Sequence, residues 1–136
     1  MIIAHPAIGV TIALLQAKLP LIHSTAVTVS DAFEDGAEVV RVDRLYGGMS
    51  NIVTDSPQML IECWVRPQPG ITSGNIEAEI LANHVRAVLT DARSEIYSGC
   101  FVRYWSGDDA SADPDPDRPS MVRWKVTGTL GLAVSR

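Results

Sequence analysis

Apolar positions along this chain recur with two periods, one near 3.6 residues and one near 2, and they partition it into helices and strands. Ile8, Ile12, Leu15 and Leu19 recur at helical spacing, with Gln16 and Lys18 off that stripe. Pro6 suits a first helical position and Pro20 stops the run, so a helix is predicted over residues 6–19. The clearest helix begins near Asn75, carries Glu77 and Glu79 in its first turn, and aligns Ala78, Leu81, Ala82, Val85, Val88 and Leu89 on one face. Extended, β-branched runs occupy 25–29, 38–45, 58–65 and 96–105. A last strand, 120–135, alternates Val122, Trp124, Val126, Leu130, Leu132 and Val134 against Arg123, Lys125, Thr127 and Thr129, which predicts one buried and one wetted face.

Between these runs lie turn-rich segments. Residues 30–36 join the first two strands, so a strand-turn-strand unit is expected there. The loop 46–57 holds Gly47 and Gly48, able to take positive φ, and closes at Pro57. Residues 66–74 form a connector rich in proline and glycine, and 107–119 a loop of five aspartates and three prolines. Alternating proline and like charge predict that this acidic loop stands off the surface. The order is helix, three strands, helix, two strands, without repeat or linker. That order predicts a single domain over 1–136, an α+β fold with two helices packed on a mostly antiparallel five-stranded sheet.

Composition agrees: 136 residues, 46% hydrophobic and 20% charged, suit one globular domain with a packed core. The net charge of -5, with no basic patch, argues against sequence-specific nucleic-acid binding. Cys63 and Cys100 sit in apolar runs and read as buried free thiols of a reducing compartment, hence a cytosolic chain. Residues 1–22 are broken by His5, Pro6, Gln16, Lys18 and Pro20, and read as a core helix rather than a signal peptide or membrane span.

Candidate chemistry is sparse, and a non-enzymatic role without cofactor or metal is expected. A phosphate cradle needs glycines where a strand meets a helix, whereas Gly47-Gly48 leads to another strand. Gly48-Met49-Ser50-Asn51-Ile52 lacks the second glycine and the helix of a nucleophile elbow. His5, His23 and His84 lie on different elements, in no local motif with a cysteine or carboxylate. Residues 31–36 imitate the start of a calcium loop, but Phe33 takes a ligand position and Val42 stands where the bidentate glutamate belongs. Glu77, Glu79 and His84 share a helix at spacings that bring no two of them together. Trp64, Trp105 and Trp124 fall in predicted strands, where core packing is the expectation.

Taken in order, Val39-Val40-Arg41-Val42, the Gly47-Gly48 turn, Val53-Thr54-Asp55-Ser56-Pro57, the run Met59 to Trp64, and an Ala-rich helix ending Val85-Arg86-Ala87-Val88-Leu89 form a pattern. With Asp113-Pro-Asp-Pro116, Arg118-Pro119 and Arg123-Trp-Lys-Val-Thr127, it resembles the tail terminator proteins of long-tailed, siphovirus-like phages of actinobacteria. The likeness runs from about residue 37 onward. The connector at 66–74 and the segment 24–36 depart from it.

The resemblance implies a structural virion protein of the tail or neck, assembled in the host cytoplasm. It implies a ring, six-membered in the family, that caps the tail tube, stops its polymerisation and docks to the head connector. Its partners would be its own copies, the tail-tube protein and the connector or stopper protein, with DNA only as passing cargo and no membrane. Long loops on a rigid sheet are usual contact devices. Tyr46, Gly47, Gly48, Asn51 and Asp55 of one loop, and Asp108, Asp109, Asp113, Asp115, Asp117 and Arg118 of the other, are therefore the expected partner or lumen contacts, the acidic loop acting as partner of the first. Two other readings share the size and acidity: a head-completion or stopper protein, and a small ligand-binding domain lined by Trp64, Trp105 or His84.

Overall fold

A computed structural model describes residues 1–48, 51 and 53–135. The elements follow as α1 (Ala7–Ile22), β1 (Thr28–Ser30), β2 (Glu38–Tyr46), β3 (Thr54–Asp55), β4 (Gln58–Val65), α2 (Asn75–Asp91), β5 (Ile96–Tyr97), β6 (Cys100–Gly107), β7 (Ser111–Ala112) and β8 (Val122–Ala133). The class is the expected α+β, but the sheet has eight strands rather than five, with a main path β1-β2-β4-β8-β6-β5. One extra strand arises because Ser98 and Gly99, both at positive φ, fold the predicted run 96–105 into the tight hairpin β5–β6, with Tyr97 opposite Cys100. The others, β3 and β7, are two-residue strands inside the segments read as loops.

β8 is the strand on which both halves of the sheet meet. On one edge it pairs with β4, from Gln58↔Thr129 to Val65↔Val122, and beyond that with β3 at Thr54↔Ala133. On its other edge it pairs with β6, from Val102↔Leu132 to Gly107↔Gly128, and then with β7 at Ser111↔Lys125 and Ala112↔Trp124. The Leu130 N–H donates to the Pro57 carbonyl where β3 gives way to β4. A strand buried this deeply needs partners for its backbone groups on both sides, and short β3 and β7 extend that pairing where β4 and β6 end.

The inward face of β8, through Val126, Leu130 and Leu132, packs into one core with the α2 stripe Ala78, Leu81, Ala82, Val85, Val88 and Leu89, all buried as the periodicity requires. Each large side chain buried here contributes about 1.5–3 kcal/mol. Met59, Ile61 and Cys63 of β4 and Val40 and Val42 of β2 continue this core. Cys63 and Cys100 are free and buried, and burial pushes both thiols above their ordinary range.

Helix α1 differs from its prediction in two ways. It runs through Pro20 to Ile22, because a proline in the last turn forfeits one backbone bond and the His23 N–H still closes on the Leu19 carbonyl at 2.9 Å. Its buried side is Ala7, Val10, Thr11, Leu14, Leu15 and Leu19, with Ile8 and Ile12 only half-buried. A helix apolar on nearly every side has no periodicity strong enough to select a face. The third difference is that β1 and β2 are parallel, Thr28↔Val39 to Ser30↔Arg41, and not a hairpin. A three-residue strand advances only about 10 Å, so residues 31–37 suffice to carry the chain back.

Gly47 has φ +100, and a Cβ there would lie 2.6 Å from the Ser56 carbonyl oxygen and 3.0 Å from the Gln58 nitrogen. Gly48 has open space around it. Gly47→Ala is expected to destabilise the protein by about 1–3 kcal/mol, and Gly48→Ala by less than about 0.5 kcal/mol. Urea unfolding of the two variants checks this, and equal midpoints would refute the assigned turn.

Candidate functional site

The sheet face turned away from the helices carries a buried charge network. Cross-strand register sets Arg41 of β2 opposite Glu62 of β4, and Arg123 of β8 opposite Trp64 of β4. Arg41 reaches one Glu62 oxygen at 2.8 Å and Arg123 the other at 2.9 Å. Glu62 is only 6% exposed, and a carboxylate so placed is tolerable because each oxygen receives a charge-assisted hydrogen bond. The same bond holds the Arg41 guanidinium above its ordinary range, against the opposing effect of burial.

The acidic loop lies down on this face, contrary to the expectation that it stands off. Arg123 binds the Asp113 carboxylate at 3.1 Å and the Asp113 carbonyl at 2.6 Å, and sits 3.8 Å from Asp115. The Asp113 N–H donates to the Arg123 carbonyl at 2.9 Å, so side chain and backbone anchor the same point. Asp115 also pairs with Arg118 at 3.5 Å and accepts from the Asp117 N–H at 2.9 Å. Repulsion among the aspartates is overcome because arginines on and beside the sheet neutralise two of them. Arg118 in turn stacks 4.0 Å above the Phe33 ring, which meets Trp64 edge-on at 5.0 Å, while Arg123 lies 5.0 Å from the Trp64 ring. Phe33, the residue that spoils the calcium-like pattern, thus caps a second small core with Val39, Trp64 and Met121. Among the described residues no group of His, Cys, Asp and Glu could hold a metal ion.

The loop 46–57 is built around an internal ion pair. Arg44 Nη2 donates to the Gly47 carbonyl at 2.8 Å, and its Nη1 lies 3.7 Å from Asp55, which is 1% exposed. Asp55, expected among the contact residues, is thus buried against Arg44 within the chain. Asn51 Oδ1 accepts from the Val53 and Thr54 N–H groups, and the Tyr104 hydroxyl bonds Ser56 at 2.9 Å. The Tyr104 ring crosses Gly131, where a Cβ would sit 2.2 Å away. Tyr46, Gly47, Gly48 and Asn51 are exposed; Met49, Ser50 and Ile52, from the segment compared with a nucleophile elbow, lie outside the described residues. Asp108, Asp109, Asp117 and Arg118 are exposed at the other loop, with Asp109 paired to Arg86 at 3.0 Å. The short strands of the two loops attach apart: β3 joins β8 at Ala133 on one edge, β7 joins it at Trp124 on the other.

The structure also unites residues that looked scattered. His23, after α1, and His84 of α2 face each other through Nδ1 atoms 2.8 Å apart, and His23 Nε2 lies 3.1 Å from Glu38 of β2. The Thr25 hydroxyl bonds both His23 and Glu38. His23, Thr25 and Glu38 border a cleft of about 410 Å³ that also involves Arg66, Thr72, Glu77 and Ile80. Sequence offered no sign of this cluster, because its members are up to 61 residues apart and meet only when α1 crosses α2. Of the tryptophans, Trp64 is buried in the second core, and Trp105 and Trp124 pack half-buried against the first. The Trp124 indole N–H donates to Asn75 at 2.9 Å.

Arg123→Met should cost about 2–3 kcal/mol and raise the rate of proteolysis within 107–119; a stable variant with an uncut loop would refute the anchoring role. Burial, and then the neighbouring His23, hold His84 below its ordinary value. The unfolded chain therefore takes up that proton first as pH falls, so this contribution to stability is complete above about pH 6.5 and lost as pH drops through the folded value. Urea midpoints should fall between about pH 7.5 and 5.5, and less in His84→Gln. Parallel profiles would assign the dependence to other groups.

No known family profile matches the sequence, and no curated protein sequence matches it. Among the described residues no helix is long and apolar enough to cross a membrane. The fold does match a solved chain from the virion of the native gene transfer agent (GTA) particle, at a TM-score of 0.63 and 17% identity, over 93% of this chain and 96% of that one. The architecture of two helices on this strand order is therefore one that a virion chain also uses, over nearly the whole length of both.

Proposed function

We propose that this protein is a structural subunit of a phage-type virion, and within it a tail terminator: a ring, six-membered in our reading, that caps the tail tube and offers its far side to the head connector. The observation that carries the virion role is the end-to-end fold likeness to a chain of the gene transfer agent particle. The sequence resemblance over residues from about 37 onward supports the finer reading. Two loop groups at separated places along β8 suit a subunit with two distinct axial contacts. In that reading Tyr46, Gly47, Gly48 and Asn51 serve one contact, while Asp108, Asp109, Asp117 and Arg118 serve the other or line the opening, where negative charge keeps passing DNA from sticking. Asp113 and Asp115 act indirectly, by holding the acidic loop on Arg123.

Purified protein added to polymerising tail-tube subunits should stop growth and leave rings at tube ends in negative-stain micrographs. Tubes that keep growing while the protein binds the connector instead would make it a head-completion or stopper protein. Asp108→Ser with Asp117→Ser should weaken docking without lowering thermal stability; unchanged tube length and head joining would exclude this loop from the contact.

A further inference from the structure

The two ends of the sheet carry exposed apolar groups of opposite electrostatic character. Where β8 finishes, the Ser135 carbonyl accepts from the Ile3 N–H at 2.8 Å, and the Val53 carbonyl accepts from the Val134 N–H at 3.2 Å. Ile3, Val53 and Phe101 are 55%, 41% and 36% exposed. The Arg103 guanidinium rests 5.8 Å over the Phe101 ring and donates to the Val53 carbonyl at 3.4 Å. Arg103 is exposed, and no carboxylate among the described residues pairs with it.

Where β8 begins, roughly 35–40 Å away along the strand, α2 starts: Asn75 holds Trp124, and Gly74 abuts Val122. Ile76 and Ile80, one helical turn apart, are 67% and 45% exposed on the side of α2 away from the core. The acids of this first turn stand with them: Glu79 is exposed, and one Glu77 oxygen is buried with no hydrogen-bond partner among the described residues. That oxygen faces inward, and the negative charge this end presents comes from exposed Glu79 and the half-buried Glu77 carboxylate. Glu77 and Ile80 line the 410 Å³ cleft described above.

We propose that these ends form the contact between successive copies of this chain: Phe101 and Arg103 of one copy dock on Ile76, Glu77 and Ile80 of the next. Two different patches on opposite ends are what a heterologous, ring-closing contact requires; a single self-complementary patch would close a dimer. The partner is a second copy because the basic, aromatic end and the acidic, aliphatic end complement one another in charge and in the apolar groups each leaves uncovered. This contact rests on the ring reading above and specifies which residues make it.

Charge reversal tests the pairing. Arg103→Glu and Glu77→Arg should each weaken self-association at least about tenfold, read by sedimentation and by ring counts on tube ends. The double variant, which swaps both sides of every contact, should recover it to within a few-fold. In otherwise unaltered protein, a photo-crosslinking residue at position 101 should join to residues 71–80 of a second copy. Singles that assemble like the parent, a double no better than the singles, or an adduct on the tube subunit would overturn the contact. Capping by rings indifferent to both reversals would remove this interface and leave the terminator reading; swap rescue without tube capping would do the opposite.

Discussion

The structure depends on keeping a twelve-residue strand, β8, paired on both edges. β4 and β3 occupy one edge in line, β6 and β7 the other, so the strand that joins the two halves of the chain leaves few backbone groups for water. That pairing determines what else is possible. It sets one β8 face under α2 as core, and it presents the other as a platform on which loops can be fastened. It also separates the two loop clusters, because the short strands that tie them down attach at opposite ends and on opposite edges.

The outer platform shows how charge can order a segment whose own composition favours extension. Five aspartates in 107–119 repel one another, yet Asp113 and Asp115 find arginines at positions that the sheet register already dictates. Glu62 is the other half of the arrangement: with two arginines bound to it, Arg123 is held in place to receive the loop. The aromatic pair Phe33 and Trp64 supplies flat surfaces under the same cations. Rigidity of this kind suits the proposed role, because segments already ordered lose less entropy on docking.

In the proposed ring subunit, function would reside in how surfaces are distributed rather than in one convergent polar cluster. The exposed loops and the basic aromatic end belong to the sheet, while the acidic aliphatic end lies on the first turns of α2. The His23, His84 and Glu38 cluster lies beside the acidic end and ties α1, α2 and β2 together there.

Sequence alone determined the α2 helix and its buried stripe, the alternation of β8, the buried free cysteines and the sharp turn at Gly47. These follow from local periodicity and from backbone limits that hold in any context. The sequence also carried the Ser98-Gly99 turn, legible as a hairpin signal but hidden inside an aromatic run. Only the tertiary structure decided which face of α1 is buried, since nearly every side of that helix is apolar. It alone made β1 parallel to β2, brought His23 to His84 across 61 residues, buried Asp55 and drew the acidic loop onto Arg123. Each of these is set by pairing between distant segments, and the free energy of such contacts appears in no local pattern.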